Sequence, residues 1–429
     1  MPYIIRDIEV THPLPTISLS ESDTGIALIL RRKDKPIGFL MQALPAKSIL
    51  TPEELAQSIA KEMGSKLLQE SLREELIPPA SQLRLLSLTV AICTKDRPES
   101  LARCLESLLK LQTPNKPEGS PCIEILVVDN APSDEQTKEL VASLPTVRYV
   151  RELKPGLDFA RNRALKEATN EILAFLDDDV VVDRNWLDGL LEAWAENPDA
   201  AAFTGLVLPY ELATEAQILF EQNGGFRRGF EKIRYGQTLP GNIDYPCGAG
   251  IFGAGCNMAF RREILLKLGG FDEALDTGAP LPGGGDLDIF YRVIRAGYPL
   301  VYEPQYLVFH QHRRDYEKLR RQYWSWGLGL MAFVVKSYQS DPPKRLHLRR
   351  VVEWWLKDKW RQFNKSLRGH HTLPPVMILA EFWGGIVGLL GEYSRSLRRI
   401  EQIKRKFFIP TSGVSTIKPD LKTEVYQDQ

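Results

Sequence analysis

Carboxylates recur in this sequence immediately after short apolar, β-branched runs. Thr94-Lys95-Asp96-Arg97 follows residues 88–93, Asp129-Asn130 follows residues 123–128, and Asp177-Asp178-Asp179 follows residues 172–176. One such cluster is also what a turn or helix cap needs, because Asp and Asn bond nearby backbone. Three clusters at the same end of successive runs point to one shared site. At an extended strand end Asp177 and Asp179 share a face while Asp178 points the other way. Carboxylates this close repel one another, and burying them without a countercharge is costly. A hard divalent ion, Mg²⁺ or Mn²⁺, relieves that conflict when it is shared with substrate phosphates.

Further along, Gly283-Gly284-Gly285-Asp286 leads into a helical pattern beginning Leu287-Asp288-Ile289-Phe290. Glycines let backbone approach a substrate, and a helix N-terminus favours an anion beside it. Asp286 is therefore the candidate proton acceptor, with a plain N-cap as the structural alternative. Asp288, in the first turn, suits either role. His310 and His312 end an alternating run, and Tyr323, Trp324 and Trp326 sit beside Gly327 and Gly329. The aromatics either shape an acceptor channel or pack as a cluster.

The elements that must position these residues are strands alternating with helices. Runs at 88–93, 123–128, 147–151 and 172–176 are separated by helical patterns, which implies an α/β domain with a Rossmann-like, mainly parallel sheet. Ligands in such sheets lie beyond the carboxyl ends of the strands. Before this domain, stretches at 26–31 and 37–43 flank a hairpin-like Lys33-Asp34-Lys35-Pro36, and Thr51-Pro52-Glu53-Glu54 reads as a capped helix start. The expected division is an accessory α+β module at 1–85, a catalytic domain at 86–339 and a basic helical tail at 340–429.

With 429 residues, 43% hydrophobic and 26% charged, the chain is neither disordered nor fibrous. Its 55 Lys and Arg balance 55 Asp and Glu, but unevenly: 10 against 11 in the first segment, 28 against 35 in the second and 17 against 9 in the third. No general basic footprint for nucleic acid exists. Five cysteines without a Cys-x-x-Cys pair read as buried thiols of a reducing compartment. Residues 1–7 lack a cationic start followed by an apolar run, so a cytoplasmic location is the expectation.

Residues 89–98, the strand end at 126–130, Ala160-Arg161-Asn162 and Phe175-Leu176-Asp177-Asp178-Asp179 together resemble the family 2 glycosyltransferases of GT-A fold. The resemblance spans roughly residues 88–330. It implies a nucleotide-diphosphate sugar as co-substrate, a divalent metal and an inverting displacement. By position, Thr94, Asp96 and Arg97 would line the nucleoside, Asp129 would hold the base, Arg161 would lie near the nucleotide and Asp177 would contact ribose. Asn130 and Asp178 join that donor-binding set. Asp179 would bind the metal, with His310 completing its shell as in some members. Gly255-Cys256-Asn257 looks like the segment lining the donor sugar and acceptor, and Asp286 matches the catalytic base. Many members carry Glu-Asp there, whereas this chain has Gly285.

In the tail, Leu348, Val352, Trp355, Leu356, Trp360, Phe363 and Leu367 recur at helical spacing opposite Arg345, Arg349, Arg350, Lys357, Arg361 and Lys365. Such a helix either lies in a membrane interface or packs on the domain with a solvated basic face. Residues 376–390 are apolar apart from Glu381 but fall short of a bilayer span and read as interfacial or buried. The reading that emerges is an inverting glycosyltransferase serving polysaccharide or glycolipid synthesis, peripheral on the cytoplasmic face of a membrane if the tail binds lipid. Two alternatives stand beside it. A sugar-phosphate nucleotidyltransferase would need a Gly-rich phosphate loop that Thr94-Lys95-Asp96-Arg97 does not provide. A non-catalytic nucleotide-sugar scaffold would have lost carboxylates that are present.

Overall fold

The computed structural model describes residues 2–76, 87–111, 122–278, 280–370 and 373–407. The expected module boundary near Pro78-Pro79 and the segment from Pro410 onward lie outside the described residues. The N-terminal part comprises β1 (Tyr3–Glu9), β2 (Ile17–Ser18), β3 (Gly25–Arg32), β4 (Lys35–Ala43), β5 (Ile49–Leu50) and α1 (Pro52–Leu76). β1 pairs in parallel with β3, and β3 forms a hairpin with β4. That hairpin turns on Lys33 and Asp34 at φ 48° and 66°, the left-handed pair a two-residue turn requires. α1 opens on a capping box: the Glu54 amide donates to Thr51 Oγ1 at 3.3 Å, and the Thr51 amide donates to Glu54 Oε2 at 2.9 Å. Arg31, fully buried, fastens the module by bonding both Asp7 and Asp183.

The α/β part runs β6 (Ser87–Thr94), α2 (Pro98–Leu111), β7 (Cys122–Asn130), α3 (Gln136–Ala142), β8 (Val147–Glu152), α4 (Leu157–Glu167), β9 (Ile172–Asp177), β10 (Val180–Val182) and α5 (Trp186–Glu196). It continues through β11 (Ala202–Pro209), α6 (Glu215–Gln222), β12 (Ile233–Tyr235), β13 (Asn257–Arg261), α7 (Arg262–Lys267), α8 (Gly285–Arg295) and β14 (Leu300–His310). The sheet order is β10-β14-β11-β13-β9-β6-β7-β8, with β12 on β14. β8, β7, β6 and β9 are the four expected strands and pair in parallel. Their continuous apolar runs follow from burial on both faces: Leu88, Val90 and Ile92 fill one core, Ala91 and Cys93 the other. Beyond β9 the sheet becomes mixed, because β13 runs antiparallel between β9 and β11. The long β14 carries His310 to a place opposite Val180, directly after the Asp triplet. Cys93, Cys104, Cys247 and Cys256 are buried free thiols.

Four helices follow: α9 (Tyr316–Ser340), α10 (Arg345–Leu367), α11 (Pro375–Val387) and α12 (Tyr393–Lys406). α9 and α11 cross in backbone contact, because Gly327 lies on Glu381 O and Gly384 on Trp324 O. The apolar α10 face, for which a membrane interface and packing on the domain were both open, is largely covered. Leu348 and Trp355 are buried, and Trp355 stacks on Phe382 with ring centroids 6.0 Å apart and rests against Gly385. Only Trp360 and Leu367 of that set are exposed. By length and composition Pro375–Lys406 passes as a membrane-crossing helix, but its helical path breaks at Leu390 and Gly391.

Candidate active site

Thr94 ends β6, and its hydroxyl donates to Asp178 Oδ2 at 2.7 Å. Arg97, at the mouth of α2, donates to Asp178 Oδ1 at 3.0 Å and reaches Asp179 Oδ2 at 3.4 Å. Asp178 therefore points away from the crevice and braces the first loop. Burial pushes its carboxyl up to about 6, with Arg97 and Thr94 pulling the other way. Asp96 adopts φ 53° and accepts from the Ser133 amide at 2.8 Å, tying the loops after β6 and β7 together.

Asp129 is buried at the end of β7 and accepts from the Tyr149 hydroxyl at 2.8 Å. Its other oxygen, Oδ1, has no hydrogen-bond partner, and burial raises its pKa in spite of Tyr149. Asn130 is spent on backbone: it donates to Lys154 O at 2.8 Å and accepts from the Gly156 amide at 2.9 Å. It shapes the loop that starts α4 and presents no free group to a ligand.

Arg161 projects from α4 into the centre of the crevice. Its Nη1 bonds Asp158 Oδ1 at 3.0 Å and Asp276 Oδ2 at 3.2 Å, while Nη2 stands 4.0 Å from Asp177 Oδ1. Asp177 itself opens to solvent at the end of β9. Burial raises Asp158 strongly and Asp276 to about 6, with neighbouring carboxylates adding to both shifts. On the far side of Arg161 lies Asp286. A Cβ at Gly255 would fall 3.1 Å from both Arg161 Nη2 and Asp286 Cβ, so this glycine keeps the two groups adjacent. The Gly255 amide donates to Asp286 Oδ2 at 3.1 Å and the Leu287 amide to Oδ1 at 2.9 Å. The N-cap of α8 is Gly284, so Asp286 is not the cap. Asp288 is structural: it is buried, bonded to Arg292 at 2.7 Å and paired with Lys336.

Asp179 and His310 meet across the β10–β14 pairing, with His310 Nε2 3.3 Å from Asp179 Oδ1. Burial works against ionisation of Asp179, but Arg313, Arg97 and, when it carries a second proton, His310 outweigh it and hold its carboxyl below the usual range. Behind His310, its Nδ1 lies 3.1 Å from His312 Nδ1, and His312 Nε2 lies 2.7 Å from Glu221 Oε1. Glu221 is paired with Arg227 at 3.1 Å and accepts, so His312 donates from Nε2 and must accept at Nδ1. With both imidazoles neutral, His310 then donates from Nδ1 and turns its Nε2 lone pair toward Asp179. Two acceptors so placed need a proton or a cation between them, and Asp179 Oδ1 has no hydrogen-bond partner. The donor pair fits a divalent ion. Among the described residues no three His, Cys, Asp or Glu side chains converge as a complete cage, so such an ion would take its remaining ligands from substrate and water.

Tyr323 and Trp326 pack with Phe220 and Phe226 behind the histidines, so they form the cluster rather than an open channel. Sequence reasoning missed Asp158, Asp276, Glu221 and the half-buried Arg228, which lies within electrostatic reach of Asp286. Asp158 carried a faint signal, three residues ahead of Arg161 on one helix face. The others carried none.

Residues 89–269 match the model of the family described as glycosyl transferase family 2. This stretch, less than half of the chain, is similar to glycosyl transferase family 2 domains. The chain is 24% identical to the glucosyl-dolichyl phosphate glucuronosyltransferase of Haloferax volcanii, over 71% of this chain and 97% of that one. It is 29% identical to the succinoglycan biosynthesis protein ExoM of Rhizobium meliloti, over 51% of this chain and 65% of that one. Among solved structures it is similar to a mannosyltransferase of Pyrobaculum calidifontis in complex with GDP-Man and Mn²⁺, at 18% identity and a TM-score of 0.44, covering 82% of this chain and 91% of that one. Asp286 and His310 lie beyond the family-matched stretch.

Proposed function

We propose that the protein transfers a sugar, with inversion, from a nucleotide-diphosphate sugar to a hydroxyl of a glycan or glycolipid, with Asp286 as the base. The observation that carries this reading is the state of Asp286. Asp158 and Asp276 are paired with Arg161, and Asp288 with Arg292 and Lys336. Among the described residues Asp286 forms no ion pair, although Arg161 and Arg228 lie within electrostatic reach, and it accepts from two backbone amides. A carboxylate so oriented and left free can take the proton of an attacking hydroxyl. The new bond forms between the acceptor oxygen and the anomeric carbon as the bond to the diphosphate oxygen breaks. Attack from the face opposite the leaving group inverts that carbon.

On the donor side, Asp129 Oδ1 offers an unused buried acceptor for a base N–H, and Asp177 offers a carboxylate for ribose. Thr94, Asp96, Arg97 and Asp178 fix the loop between them, and Arg161 adds positive charge facing the departing diphosphate. Asp179 and His310 would hold Mn²⁺ or Mg²⁺, which when bound supplies charge neutralisation of that diphosphate. The names of the Haloferax and Rhizobium relatives, a dolichyl-phosphate glucuronosyltransferase and a polysaccharide biosynthesis protein, support a glycolipid or glycan acceptor. The proposed setting is the cytoplasm, with peripheral attachment to the membrane. To test the donor site, thermal stability is measured with a panel of UDP- and GDP-sugars, with and without Mn²⁺. The expected result is stabilisation by one donor that needs the metal and disappears in Asp179→Ala. Equal, metal-independent stabilisation of parent and variant would reject the site.

A further inference from the structure

One stripe of α11 has no partner. Val376, Leu379 and Trp383 are exposed, Trp383 to 58%, and half-buried Ile386 follows them. Their spacing of three and four residues places them on one helix face. Leu390, 68% exposed at the break that follows α11, and Leu397, 40% exposed on α12, lie beyond it. The opposite face of α11, with Met377, Gly384 and Gly388, is buried on α9. On α10, Trp354 and Trp360 are exposed beside Lys357, Arg361 and Lys365, a basic stripe at intervals of four. These three cations, with Arg398 and Arg405 of α12, have no carboxylate partner among the described residues. Between residues 345 and 406 there are 14 Lys and Arg against 5 Asp and Glu.

We infer that this face of α11, with the basic residues of α10 and α12, lies in the interface of an anionic lipid membrane. Charge decides the occupant. A second copy docking through the same patch would set basic surface against basic surface, since a two-fold contact is self-complementary. An anionic bilayer meets both features at once, with tryptophans at headgroup level and Lys and Arg among the headgroups. The helix lies on the membrane rather than crossing it. Its inner face is locked to α9 at Gly327 and Gly384, and the path breaks at Leu390 and Gly391 before the basic α12. α9 in turn rests on the Asp286 loop, where a Cβ at Gly329 would stand 2.8 Å from Gly283 C. The membrane face thus sits one helix layer from the loop that carries the base. This surface deepens the glycolipid-acceptor reading, and its use rests on that reading.

The test is flotation of the full-length protein with vesicles of phosphatidylcholine alone or mixed with phosphatidylglycerol, at low and high salt. The parent is expected to float with the anionic vesicles, and less so at high salt. The pair Leu379→Gln and Trp383→Gln, and separately the triple Lys357→Glu, Arg361→Glu, Lys365→Glu, are each expected to weaken partition at least about tenfold. Their melting midpoints and donor-induced shifts should match the parent. A parent that does not float, or flotation unaffected by both variants, overturns the inference. So does a concentration-dependent doubling of mass that Trp383→Gln abolishes, because the face would then belong to a second copy. Flotation by a protein inactive toward lipid-linked acceptors would reject the glycolipid acceptor and leave the membrane face standing.

Discussion

Gly285 stands where the family resemblance implies a glutamate, and its surroundings are already occupied. A Cβ there would run into Asp158 Oδ2 and lie 2.9 Å from Asp276 Oδ2. Two buried carboxylates, brought in by α4 and by the loop before α8, already fill that volume. Gly285→Ala is therefore expected to cost about 1–3 kcal/mol by forcing these groups off Arg161, read as a lower urea midpoint. A variant as stable as the parent would show that the crowding is relieved cheaply. The triplet at 177–179 was legible as a charged strand end but not in its arrangement: 178–179 form a turn, and Arg97 reaches both Asp178 and Asp179. The arrangement of Asp276 was not legible. Its partner Arg161 is 115 positions away, and only the tertiary fold brings them within 3.2 Å.

Among the elements, β6 to β9 could be read directly, because strands buried on both faces leave unbroken apolar runs. The mixed half of the sheet could not, since the antiparallel insertion of β13 is decided by pairing partners far apart in sequence. α10 shows the same limit. Its amphipathic pattern records an apolar face but not what covers it, and Trp355 finds Phe382 and Gly385 rather than lipid. The covering depends on the glycines of α9 and α11. Gly384→Val should separate the two helices, costing about 2–4 kcal/mol, and lower the melting temperature of the whole protein. An unchanged midpoint would mean that the α9–α11 contact adds little to global stability.

For the molecule as a whole, the neutral total charge conceals an acidic catalytic part and a basic helical end, and the buried carboxylates make stability depend on pH. Asp276 has a folded pKa of about 6 against an ordinary value of 3.8. The native state therefore holds its proton where the unfolded chain has lost it, so stability falls as pH rises from 4 to 6. Asp276→Asn should flatten that slope in denaturation experiments without ligand, and an identical slope would count against the assignment. The central claim, that Asp286 takes the acceptor's proton, is tested most directly by comparing parent and Asp286→Asn for donor binding and for nucleoside diphosphate release in transfer assays. Unchanged donor affinity with release reduced about 10²–10⁴-fold is the predicted result. A variant that binds donor and transfers sugar at the parent's rate would contradict it.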